Sequence, residues 1–182
     1  MTLVDHHDPA AFRHVLGHYP TGVAVVTAMT GEGPVGMAVG TFTSISLSPP
    51  LVGFFPDRGS ATWARIRTAG AFCANILGED HRDVCRVFAT RGVDRFGAVD
   101  WVPGPTGSPV LTDAIAWADC ELVDDHPVGD HQLAVGRVTA LSLHDGEHAR
   151  RPLVFHRGRY GTATTAAAAL TPLPLPLEGA WL

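Results

Sequence analysis

No apolar run in this sequence approaches the roughly 20 residues that a membrane-spanning helix needs, although 46% of its 182 residues are hydrophobic. A Lys/Arg block is also missing. With 13 basic against 18 acidic residues the formal net charge is -5, so neither a nucleic-acid surface nor a membrane association is expected. Cysteine is scarce. Cys73, Cys85 and Cys120 are odd in number and form no CxxC pair, which fits reduced thiols in a cytoplasmic protein. The first ten residues, MTLVDHHDPA, carry neither a basic start nor an apolar core, so no secretory signal is read there.

Several familiar chemistries are absent as well. GEGPVG, Gly31 to Gly36, matches GxGxxG, but Pro34 and a β-like run follow where a dinucleotide site needs a helix. A hairpin turn is the reading. The ten histidines complete no zinc pattern: a glycine interrupts HDGEH between His144 and His148, His6 and His7 lie near the start, and His126 and His131 flank a turn. They are read as surface histidines and no metal is expected. Ser108 in GSPV lacks the surroundings of a hydrolase nucleophile.

What is present is a succession of short strands with few helices. Asp8-Pro9 caps a helix carrying Phe12, Val15 and Leu16 on one face, with Pro20 as its stop. GVAVVTAM, Val35 to Val39, LVGFF and AFCANIL read as strands. GSATWARIRTAG is a helix capped by Ser60 and stopped by Gly70, and EDHRDVCRVFAT is helical with Val84, Val87 and Phe88 in register. Glycine and proline make Trp101 to Pro109 a loop. Two long strands, AIAWADCELVDD and QLAVGRVTALSLH, are joined through HPVGDH, and PLVFHRGRYG is a last hairpin. Without regular βαβ alternation, the fold class is mainly β with flanking helices, an antiparallel barrel spanning residues 1–162. From 163 to 182 an Ala/Pro-rich tail follows, whose alternate prolines favour an extended path, either disordered or lying across a partner subunit.

Two stretches carry chemistry. In GMAVGTFTSISLSPPLVGFF, small and hydroxyl residues crowd a loop between strands. Backbone donors there can approach a flat polar ligand, or the segment can be a serine-rich turn satisfying itself. In DRGSATWARIR, Ser60 and Thr62 occupy the first helical turn, where free N–H groups and the dipole suit an anion. Arg58 and Arg65 add cationic reach. A plain capped helix is the alternative.

The order of the pieces is informative. YPTGVAVVTA, GMAVGTFTSISLSPPLVGFF, GSATWARI, FCANIL, VFAT with DRF, GDHQLAVGRV and PLVFHRGRYG, between Phe12 and Gly161, resemble the flavin reductase-like family. Its members are small NAD(P)H:flavin oxidoreductases that partner two-component monooxygenases. The resemblance implies an FMN-binding split β-barrel, working as a homodimer, with FMN or FAD and NADH or NADPH as its redox pair. It places Gly40, Thr41, Phe42, Thr43, Ser44 and Ser46 along the isoalloxazine and ribityl chain, and Ser60 and Thr62 at the phosphate. Asn75 is placed near the cofactor. Arg95, Phe96 and Tyr160 close the pocket, and His131 faces the nicotinamide side. His131 and Arg95 are the catalytic candidates.

The chain departs from the family pattern at Ala38, where a hydroxyl residue is common, and at Gly40-Thr41, where Asn-Ser is common. Three functions follow: a reductase supplying reduced flavin to a partner monooxygenase, a flavin-retaining oxidoreductase acting on an organic substrate, or a non-catalytic flavin-binding barrel. The absence of a basic pocket for a 2′-phosphate leans towards NADH.

Overall fold

The computed structural model of the chain describes residues 3–144 and 150–163. His148 and the tail beyond Ala163 lie outside them. Asp8 accepts the Ala10 N–H at 2.9 Å and Pro9 opens α1 (Pro9–Leu16). Gly17 caps this helix, three residues before the proline that the sequence offers as a stop. Next come β1 (Thr21–Gly22), β2 (Ala24–Thr30), β3 (Gly33–Val39), β4 (Thr43–Leu47) and β5 (Pro50–Phe54). Then follow α2 (Ala61–Ala69), β6 (Ala71–Ile76), a 3-10 turn (Glu79–His81) and α3 (Arg82–Ala89). The chain continues through β7 (Trp101–Pro103), β8 (Pro109–Leu111), β9 (Ala116–Val128), β10 (His131–Leu143), β11 (Leu153–His156) and β12 (Arg159–Thr162).

Seven strands form one sheet in the order β3-β2-β6-β9-β10-β5-β4, beside a β1-β11-β12 sheet and a β7-β8 pair. Every strand pairing among the described residues is antiparallel. The valine-rich run is β2, and both Val25 and Val26 are wholly buried. Successive side chains of a strand face opposite ways, so this sheet is covered on both faces. Val26 packs with Phe54, Trp63 and Phe72 on one side; Val25 packs with Leu77, Phe88 and Leu153 on the other. Phe54 meets Trp63 and Phe72 edge-on, at centroid separations of 5.6 and 5.3 Å, a geometry that aromatic quadrupoles favour.

GEGPVG is a hairpin turn: Gly31 and Glu32 join Thr30 to its partner Gly33, whose φ is 108°. Three local expectations change. HPVGDH is mostly strand, because Val128 pairs with His131 and only Gly129 and Asp130 turn. Trp101 to Pro109 is not all loop, since β7 occupies its first three residues and β8 starts at its last, the two pairing from Trp101 to Leu111. Buried Asp119 organises the bend between them, accepting from Thr106 N at 2.6 Å and Thr106 Oγ1 at 2.7 Å. Finally, Thr43 to Ser46 belong to β4, with a bulge between Ser44 and Ser46. The hydroxyl-rich stretch is therefore largely an edge strand rather than a loop.

Candidate functional site

The site is built around the start of α2. Ser60 holds an extended conformation, its Oγ accepts the Trp63 N–H at 3.2 Å, and its carbonyl accepts the Ala64 N–H at 3.0 Å. A helix leaves its first N–H groups without partners along the chain, so those of Ala61 and Thr62 point outward as donors. Gly59 N–H is tied to Asp57 Oδ1 at 2.6 Å, which fixes the approach to the cap.

Opposite this end stand the last residues of α3 and the turn after it. Arg95 reaches back across the gap. Its Nη1 donates to Gly36 O at 2.6 Å and to Thr62 Oγ1 at 3.3 Å, while Nη2 and Nε donate to Thr90 O at 2.8 and 3.2 Å. Partial burial lowers the Arg95 pKa from its ordinary value, but a guanidinium stays charged. Arg91 lies on the same wall, exposed, and its side chain makes no hydrogen bond or ion pair among the described residues. The groove between these walls measures ≈ 570 Å³, within the size range of nucleotide and cofactor pockets.

An apolar pocket of ≈ 180 Å³ adjoins it, lined by Val23, Gly40, Cys85, Phe155 and Tyr160. Ala38 and Ala89 line both cavities. Cys85 Sγ donates to the Tyr160 hydroxyl at 3.2 Å. That contact, together with burial, pushes the Tyr160 pKa up to about 12, and burial raises the Cys85 thiol. Both groups are neutral near pH 7 and present an unionised wall. A third cavity, ≈ 150 Å³, lies beside His81. His81 Nδ1 is committed to the Gly78 N–H at 3.0 Å, so this histidine serves the backbone.

The structure sorts the residues singled out from sequence. Ser60, Thr62 and Arg95 share the groove, and Gly40 and Tyr160 share the apolar pocket. His131 stands at the rim: its backbone bridges to Asp57, a groove residue, and its Nδ1 contacts Asp130 Oδ1 at 2.6 Å. This bond to His131 holds the Asp130 carboxyl below its ordinary pKa. Thr41 Oγ1 is occupied by the Phe55 N–H at 3.0 Å, and Phe42 packs on the core. Thr43, Ser44 and Ser46 line neither cavity. Phe96 sits between Phe88 and Trp101, meeting each edge-to-face at 5.3 and 6.1 Å.

Asn75 does not face the groove. It is wholly buried, Nδ2 donating to Val25 O and Thr27 Oγ1 at 3.1 Å each, Oδ1 accepting the Leu111 N–H at 2.8 Å. The cations also differ from expectation. Arg65 pairs with Glu32 at 3.3 Å, and Arg58 donates to Gly129 O at 3.2 Å. Arg91, Gly92 and Asp57 were not singled out. The signal available for the first two was ATRG, a cation followed by glycine at a helix end, and Gly92 indeed has φ 76°.

A family model described as a flavin reductase like domain matches residues 16–164. The chain belongs to that family. It is 45% identical over 153 residues to the reductase subunit of a flavin-dependent monooxygenase from Rhodococcus jostii, covering 84% of this chain and 77% of that one. The crystal structure of nitrilotriacetate monooxygenase component B from Mycobacterium thermoresistibile superposes with a TM-score of 0.89 at 37% identity, covering 96% of both chains. An NADH:FAD oxidoreductase from Streptomyces globisporus superposes with a TM-score of 0.85 at 34% identity, covering 92% of this chain and 99% of that one. The antiparallel architecture described above is the split barrel of these flavin reductases.

Proposed function

We propose that the protein catalyses hydride transfer from NADH or NADPH to FMN or FAD and delivers the reduced flavin to a separate flavin-dependent monooxygenase. One observation carries this reading: a phosphate-sized donor end at α2 opens directly into an apolar pocket across Ala38 and Ala89. The donors fit the ligand. Backbone N–H groups at a helix start, a serine cap and a free guanidinium together suit a phosphate, and an apolar pocket with backbone-rich walls suits an isoalloxazine face.

Bound flavin supplies the hydride-accepting N5, and the nicotinamide supplies the hydride at C4. The protein's task is to place them. Ser60, the α2 N–H groups and Arg91 fix the phosphate. Arg95 braces Thr62 and Gly36, so both walls keep one spacing. Tyr160 and Cys85 keep the far wall dry. His131, at the rim, positions the nicotinamide. No side chain has to move a proton between carbon centres, so no acid–base dyad is needed beside the groove.

The residues lining the groove include exposed Asp57, Gly59, Arg91 and Gly92, an openness that suits release of reduced flavin over its retention. Anaerobic stopped-flow mixing with each pyridine nucleotide tests the reading. Added FMN or FAD is reduced with turnover, and His131→Ala slows that step about tenfold through lost positioning. Tight copurifying flavin without turnover of added flavin would favour the flavin-retaining reading.

The working unit is a homodimer. The seven-stranded sheet ends at β4, where Leu47 is 78% exposed, and α1 buries none of its residues although Phe12, Val15 and Leu16 are about half exposed. Apolar surface of this kind, next to a strand edge unpaired among the described residues, is normally covered. Light scattering is expected to report a dimer, and Leu47→Asp to shift it towards monomer. With three free, buried cysteines, the compartment proposed is the cytoplasm.

A further inference from the structure

We propose that the tip of the β11–β12 hairpin is a second anion site, which takes a phosphate of the nicotinamide dinucleotide. The inference rests on the flavin reductase reading above. A hydride transfer between two nucleotides needs both rings in one apolar space and a place for each nucleotide's phosphates. The groove at α2 serves one set of phosphates. The apolar pocket beside it contains Phe155 and Tyr160, paired across β11 and β12 with their rings 5.3 Å apart. A further cavity of ≈ 440 Å³ is lined by His156, Arg157, Arg159, Tyr160 and Gly161. Tyr160 thus lines both the apolar pocket and this cationic one. Shared residues link the three cavities, Ala38 and Ala89 the first two and Tyr160 the last two, while strand alternation turns His156 and Arg159 to the hairpin face opposite Phe155 and Tyr160.

The charges at the tip are uncommitted. Arg157 and Arg159 are exposed, and their guanidinium groups make no ion pair or hydrogen bond among the described residues. His156 pairs with Arg159 across the hairpin, so the two project from one face beside the turn. In a chain of net charge -5, most arginines with carboxylate neighbours are paired, as Arg65, Arg67, Arg86 and Arg151 are. Two free guanidinium groups within one tight turn concentrate positive potential there. The turn is also fixed: Arg157 adopts φ 51° and its N–H is bonded to Gly17 O at 2.8 Å, while Gly158 has φ 75°. A non-glycine residue held in this conformation is uncommon, and here it presents the side chain from a rigid base. Arginine suits phosphate because its planar fork donates two parallel hydrogen bonds.

The test is the double variant Arg157→Asn/Arg159→Gln, because asparagine tolerates the left-handed conformation. Steady-state oxidation of NADH and of NADPH is measured at saturating flavin, and flavin affinity is measured separately by fluorescence quenching. The KM for the pyridine nucleotide is expected to rise about tenfold, with kcat within about twofold and flavin affinity unchanged. The wild-type KM rises with salt, and the variant loses much of that dependence. Equal rises for NADH and NADPH identify the pyrophosphate; a larger rise for NADPH identifies the 2′-phosphate. An unchanged KM, or a change in flavin affinity instead, overturns the proposal. A wild-type protein that oxidises neither nucleotide with added flavin shows that the parent reading has failed, before any variant is made.

Discussion

Asn75→Ala is expected to lower stability by about 3 kcal/mol, the sum of a small cavity and orphaned buried groups, while flavin affinity of the folded protein stays within a factor of about two. Asn75 joins three strands. Its amide donates to β2 at Val25 and Thr27, and its carbonyl accepts from β8 at Leu111, all from β6. Thr27 Oγ1, which receives one of these bonds, has both Pro109 O and Cys73 O within reach of its single proton. Truncation leaves the Leu111 N–H buried without its acceptor, and water has no path to a site that is 0% exposed. Urea unfolding should show the loss as a midpoint lower by about 1–2 M, given a typical slope for a chain of this size. Flavin titration of the folded variant supplies the second measurement. Full stability with lost flavin affinity would return Asn75 to the cofactor-facing set and remove its structural assignment.

Arg95→Ala is expected to weaken flavin binding about thirtyfold or more, or 2–3 kcal/mol, the range of charge-assisted hydrogen bonds. The loss has two sources. The guanidinium contributes positive potential to a groove where a phosphate is to sit. It also holds three elements together, through Gly36 O on β3, Thr62 on α2 and Thr90 O after α3. Without it the walls can separate and two carbonyls lose their donor. Lysine at this position restores little, because a point charge cannot reach three acceptors from one planar group. Arg65→Ala is the contrasting control: Arg65 engages exposed Glu32 at 3.3 Å, and a surface pair of that kind is worth under about 1 kcal/mol. Comparable losses from both variants would mean that general positive charge, and not the Arg95 brace, governs binding.

The parts of this structure that local chemistry determines were legible from residues alone. Asp8 and Ser60 cap their helices because a side-chain oxygen can satisfy an N–H two or three residues on, which any reader of the chain can see. The hairpin at Gly31-Glu32 and the strands around it follow from turn residues bounding apolar runs. What stayed hidden depends on contacts distant in sequence. β7 and β8 are three residues each, β7 ending and β8 beginning in proline, so no periodicity reveals them; they pair because Asp119, thirteen residues after Thr106, holds the bend. Asn75 looks like a ligand in a short polar interruption, and only the register of β2, β6 and β8 shows its donors already used. Arg58, Arg65 and Arg91 are indistinguishable by type. Their directions are set by the elements that carry them, and only Arg91 lines the groove.

The seam between the phosphate groove and the apolar pocket is formed by Ala38 and Ala89. A methyl group has no rotamer to choose, so the bore of this doorway is dictated by the spacing of a strand and a helix end. Nothing there has to swing aside when a ring enters or leaves. An unlatched threshold of that kind matches a courier protein, which must load and unload a diffusible passenger in every cycle.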